Sequence, residues 1–96
     1  MSDIKALTVR LDGPAGRTVK VRGRVAWTLD NLIRAGERGC TPIERPAPRW
    51  SDYVFKLRKA GFSVETIDEK HGGTYRGEHG RYVLRTLVEV IEEVRQ

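Results

Sequence analysis

The residues of this chain that could act on a substrate are one cysteine, two histidines and thirteen carboxylates, and their spacing offers little for a reaction to use. Cys40 has no neighbouring base in the sequence to take its proton. His71 and His79 stand eight residues apart, whereas metal sites favour close pairs such as Cys-x2-Cys or His-x3-His. The carboxylates are scattered through basic surroundings, and no Gly-x4-Gly-Lys run is present to cradle a phosphate. The expectation is a protein with no catalytic residue, no metal and no cofactor. His71 and His79 are the only residues to test for such a role, and they are expected to contact a ligand from a loop or to shape that loop.

Binding a polyanion is chemistry the sequence supplies much better. Eighteen Lys and Arg against thirteen Asp and Glu give a net charge of +5, the sign expected of a protein that meets nucleic acid. Residues 86–96 hold three glutamates and one arginine, so this tail is net −2 and the rest of the chain +7. Within that body, Arg45, Arg49, Lys56, Arg58 and Lys59 against Asp52 make residues 45–59 net +4. Arg and Lys donate to phosphate oxygens or to guanine O6 and N7, and Ser51 could bond a phosphate or a base edge. Asp52 would be repelled by phosphate unless it accepts from a cytosine amine or pairs with Lys56 four residues on, and the pairing is expected. Phe55 could touch a thymine methyl or pack beneath a hairpin or against a partner, with packing the expectation. A second set, Lys70, His71, Tyr75, Arg76, His79 and Arg81, stands among Gly72, Gly73, Gly77 and Gly80. Glycines let a backbone follow a groove closely while neighbouring side chains donate to phosphates.

Both sets need elements to hold them. Leu7, Val9 and Leu11, then Val19 and Val21, alternate with polar residues around Asp12-Gly-Pro-Ala-Gly16, which predicts a β-hairpin over residues 1–22 with Arg10, Lys20 and Arg22 outward. From Arg24 the period becomes helical through Val25, Leu29, Leu32 and Ile33 and stops at Gly36. Trp27 falls off that stripe, so it either packs against the hairpin or remains partly exposed, with packing the expectation for so large a ring. Thr41-Pro42 can cap and open a short second helix of about one turn, ended by Pro46 and Pro48. Trp50, Tyr53, Val54 and Leu57 at i, i+3, i+4 and i+7 then predict a third helix, Arg49 to Ala60, closed by Gly61. Asp52, Phe55, Lys56 and Lys59 lie opposite its apolar stripe, with Ser51, Arg58 and Arg49 on the flanks. Phe62, Val64 and Ile67, and later residues 81–85, read as two strands joined by the glycine-rich loop. Leu87, Ile91 and Val94 predict a closing amphipathic helix over residues 86–96, folded back on its domain or against a second copy.

The expected fold class is therefore α+β: a winged helix-turn-helix, with a three-helix core and a β-hairpin wing over residues 23–85, an N-terminal β-hairpin and a C-terminal amphipathic helix. The third helix would enter a major groove ~12 Å wide and the wing would reach the adjacent backbone. The blocks Gly39-Cys-Thr-Pro-Ile-Glu44, Pro48-Arg49-Trp50-Ser51-x-Tyr53-Val54-Phe55-x-Leu57-Arg58, Val64-Glu65-Thr66, His71-Gly72-Gly73 and Gly77-x-His79-x-Arg81-Tyr82-Val83-Leu84 carry a family resemblance. Over Gly23 to Arg85 the chain resembles small winged helix domain proteins of bacterial and prophage genomes. That resemblance implies the fold and DNA binding, and supplies no operator, ligand or reaction.

A length of 96 residues fits one domain, 1–96, without a second core. With 39% hydrophobic and 32% charged residues, against a usual ~45–50% and ~25%, the core is small, and a cleft enclosing a substrate would consume much of it. One cysteine makes no internal disulfide, and no apolar run approaches ~18 residues. A cytoplasmic, nucleoid-associated protein is expected, with double-stranded DNA as partner, a homodimer through the closing segment or the hairpin, and no membrane or small-molecule substrate. The expected function is sequence-specific transcriptional regulation. The alternatives are a protein–protein interaction module on the same scaffold and a non-specific architectural or packaging DNA binder.

Overall fold

The computed structural model describes residues 4–45, 47, 49–71 and 77–95, without the side chains of 70, 71 and 77–79. The expected hairpin is present as β1 (Ile4–Leu11) and β2 (Thr18–Arg22), antiparallel with Val9 opposite Val19. Leu7, Val9, Leu11 and Val21 are buried and Val19 is half-buried, while Lys20 and Arg22 are exposed. The alternation of a pleated strand sorts them this way. Helix α1 (Gly23–Ala35) follows at once and buries Ala26, Thr28, Leu29 and Leu32 against the hairpin and the second helix. It ends at Gly36, whose φ of 59° suits a residue without Cβ.

The second helix of the expected three is not a regular helix. After a 3-10 turn at Gly36–Arg38, a single hydrogen-bonded turn closes with the Arg45 amide donating to the Thr41 carbonyl at 3.0 Å. Thr41 does cap it, its Oγ1 accepting from the Glu44 amide at 3.1 Å. Pro46 and Pro48, outside the described residues, have no amide hydrogen with which to extend it. Helix α2 (Trp50–Lys59) is the expected third helix, burying Trp50, Tyr53, Val54 and Leu57. Its C-terminus is a Schellman motif: Phe62 donates to the Leu57 carbonyl and Gly61, at φ 110°, to that of Arg58, each at 3.1 Å.

Strands β3 (Val64–His71) and β4 (Gly77–Leu84) form the two-stranded wing, paired from Val64 with Leu84 to His71 with Gly77. The expected closing helix is instead a strand, β5 (Val88–Arg95), antiparallel to β1 in a sheet of order β2-β1-β5. Two causes override the helical spacing of Leu87, Ile91 and Val94. Half of the strand is β-branched, Val88, Val90, Ile91 and Val94, which favours extended backbone. The free edge of β1 also offers a ladder of backbone partners that a helix would leave unpaired. The register steps from Val9↔Val90 to Thr8↔Glu92, so Ile91 is an extra residue, a bulge that resets the phase and hides the period-two pattern. Among the described residues no helix is long and apolar enough to cross a membrane.

Candidate nucleic-acid interface

The fold divides α2 into two faces. Inward, Trp50 is 3% exposed, stacks on Tyr82 of β4 with centroids 5.6 Å apart and planes 5° from parallel, and meets Trp27 edge-on at 5.7 Å. Trp27 thus packs on the second tryptophan, a contact the sequence stripe does not reveal. The Trp50 Nε1 donates to the Arg45 carbonyl at 2.6 Å, holding the approach to α2 against its first turn. Outward, Ser51, Phe55, Lys56 and Lys59 are exposed.

The two faces also separate the cations by task. Arg58 donates through Nε and Nη2 to the Val64 carbonyl at 3.1 and 2.6 Å, and through Nη2 to Thr66 Oγ1 at 2.9 Å. It is a bracket from α2 to β3. Arg81 is similarly engaged, with Nε on Glu69 at 2.5 Å and Nη1 on Glu44 and on the Arg38 carbonyl at 3.1 and 3.0 Å, so it ties the wing to the turn before α2. Lys56 pairs with Asp52 at 3.2 Å, the expected i,i+4 contact, which removes the bare carboxylate from the helix face. Lys59 Nζ lies 5.3 Å from the centroid of Phe55, and Phe55 itself is 56% exposed, so it is not packed beneath the hairpin, the first of the two packing partners expected for it. Arg49 at the N-cap of α2 and Arg45, whose Nη1 reaches the Glu44 carbonyl at 3.2 Å, are exposed. Residues Tyr75 and Arg76 and the side chains of Lys70, His71 and His79 lie outside the described residues.

The structure adds two arginines that the sequence analysis did not select. A pocket of about 330 Å³ between the end of α1 and the turn before α2 is lined by Arg34, Arg38 and Arg45, with Glu44 and Cys40. Arg34 is on α1, Arg38 on the 3-10 turn after it and Arg45 at the end of the turn before α2, so only their packing together gathers them. Arg34 pairs with Asp30 at 3.2 Å and Arg38 with Glu44 at 3.1 Å. Cys40 is buried and its Sγ donates to the Asn31 carbonyl at 3.3 Å; burial pushes its thiol pKa up, the reverse of what a nucleophile needs. Its backbone bonds Tyr82 in both directions, at 2.9 and 2.8 Å, joining the pre-helix segment to the wing. Among the described residues no three His, Cys, Asp or Glu side chains converge as a metal site.

Glu44 sits between Arg38 and Arg81. Desolvation pulls its carboxyl pKa up, but the two guanidinium groups outweigh that and hold it below the ordinary value of 4.5. A carboxyl depressed by folding contributes stability above its unfolded pKa and loses it as pH falls through the folded one. The bracket between wing and turn should therefore weaken only below about pH 4.5. Melts between pH 6 and pH 3 are expected to show a smaller acid-induced fall in Tm for Glu44→Gln than for the parent; equal falls would remove Glu44 from the acid response.

A family model described as a winged helix domain matches residues 18–94, extending beyond the motif blocks to take in β2 and most of β5. None of the curated proteins and none of the solved structures compared with the chain matches it.

Proposed function

Because the chain belongs to the winged helix domain family, we propose that it binds double-stranded DNA, with α2 in the major groove and the wing on the adjacent backbone. We read it further as a sequence-specific transcriptional regulator of the bacterial or prophage kind, working by binding and not by catalysis. The outward face of α2 carries this reading. Ser51, Phe55, Lys56 and Lys59 stand clear of the chain's own sheets, while Arg58 and Trp50 fix that helix to the wing strands. A helix about 10–12 Å across, side chains included, fits a major groove of about 12 Å. Lys59 and Arg49 would meet phosphates, and Phe55, exposed at the centre of the face, would meet a thymine methyl. The segment from Lys70 to Arg81 would supply the wing contacts.

The test is a titration with random duplex between about 50 and 200 mM salt. Micromolar binding that falls steeply with salt is expected, and Lys59→Ala should lower the log–log slope by about one, the value for one phosphate contact. An unchanged slope would remove Lys59 from the interface. Absence of binding at low salt would favour a second reading, in which the exposed Phe55 and its charged neighbours dock a protein. Selection from a random duplex pool separates a regulator, which enriches one sequence, from a packaging protein, which enriches none.

A further inference from the structure

We propose that copies of this chain join head to tail through the three-stranded sheet, the outer edge of β5 in one copy pairing with the outer edge of β2 in the next. Among the described residues the order β2-β1-β5 leaves both outer strands with an open edge, and an unpaired eight-residue edge is a template for another strand. The core elements leave β5 largely uncovered: Val90, Ile91 and Val94 are 40, 46 and 41% exposed, and Leu87 just before it 70%. A second copy is the occupant because the two edges are opposite in charge. Strand β2 presents Lys20 and Arg22, and β5 presents Glu89, Glu92 and Glu93, all exposed. A symmetric β5-to-β5 contact would instead set acidic edge against acidic edge.

Strand β1 sets the register, because it pairs with both neighbours. Thr8 lies opposite Lys20 on one side and Glu92 on the other, and Val9 lies opposite Val19 and Val90. Since β2 and β5 are each antiparallel to β1, they run parallel to one another. Repeating the sheet therefore sets β5 beside β2 of the next copy with matching faces. Glu92 then meets Lys20 of the next copy, and Val90 meets Val19. Neither Lys20 nor Glu92 has an ion-pair partner among the described residues. Such a heterologous contact between twisted sheets generates an open series and not a closed dimer.

The proposal does not depend on DNA binding, and its test contains no DNA. Sedimentation of the full chain over a range of concentrations should show a reversible ladder of masses that shortens with added salt. Lys20→Glu and Glu92→Lys, each alone, should weaken self-association by roughly tenfold, since an exposed attraction becomes a repulsion. Both should keep the parent melting curve. An equimolar mixture of the two variants should regain the ladder, because positions 20 and 92 again carry opposite signs across every contact. A monomer at all concentrations, a dimer of fixed mass, or a mixture that stays as dissociated as its components would overturn the proposal.

Discussion

Trp50→Ala is expected to cost about 3–5 kcal/mol, a large share of the stability of any small domain, and to lower Tm by roughly 15 °C or more. The magnitude follows from what the ring joins. It is stacked on Tyr82 of the wing, edge-on to Trp27 of α1, and hydrogen-bonded to the Arg45 carbonyl. Truncation opens a cavity between three elements and frees the segment leading into α2. Urea unfolding followed by Trp27 fluorescence measures it, and Trp50→Phe, which keeps a ring but loses the Nε1 donor, should recover more than half of the loss. A Trp50→Ala midpoint equal to that of the parent would show that this cluster does not hold the helix to the wing. The same variant should bind duplex poorly even where it remains folded, since the helix and wing would no longer be fixed to each other.

Gly39→Ala should be nearly as damaging, for a backbone reason. Gly39 adopts φ 71° and ψ −176°, a region open essentially to glycine alone and costing about 1–3 kcal/mol for other residues. A Cβ there would also stand 2.5 Å from the Tyr82 carbonyl oxygen and 2.8 Å from Val83 Cγ2, so β4 would have to retreat. That retreat would break the paired hydrogen bonds between Cys40 and Tyr82. A loss of about 3 kcal/mol or more is expected, read by the same urea titration, with faster amide exchange at Cys40 and Tyr82 than at Val9. Parent-like stability and exchange would show that the segment relaxes without cost.

Much of the recognition half was legible because its signals are local. Trp50, Tyr53, Val54 and Leu57 at helical spacing, with Gly61 after them, define α2 within a single window of sequence. Asp52 and Lys56, four residues apart on one helix, form the i,i+4 pair that their spacing favours. Alternation likewise marked β1 and β2, while the wing pairing runs on to His71 and Gly77, residues that read as loop because glycines dominate there. The cations of this region were visible as charge, but charge does not say where a side chain is engaged. Arg58 and Arg81 are bound within the fold as brackets that the sequence does not show, because their carbonyl, hydroxyl and carboxylate partners come from β3, Arg38 and Glu44. Phe55 is exposed on the face of α2 opposite its buried stripe; the hairpin meets the C-terminal cap of that helix through Arg17, which donates to the Ala60 carbonyl at 2.7 Å.

What the amino-acid sequence determined by itself was the set of elements whose partners are their own neighbours: the first hairpin, the two helices, the wing pairing and the basic character of the α2 surface. Tertiary structure decided the rest. The closing segment carries both a helical stripe and β-branched residues, and the open edge of β1, almost eighty residues away, resolves the choice because its amides and carbonyls need partners. The same long-range packing gathered Arg34, Arg38 and Arg45 around one pocket. Local spacing sets which conformations a segment can adopt at low cost; burial and backbone pairing across the chain select among them.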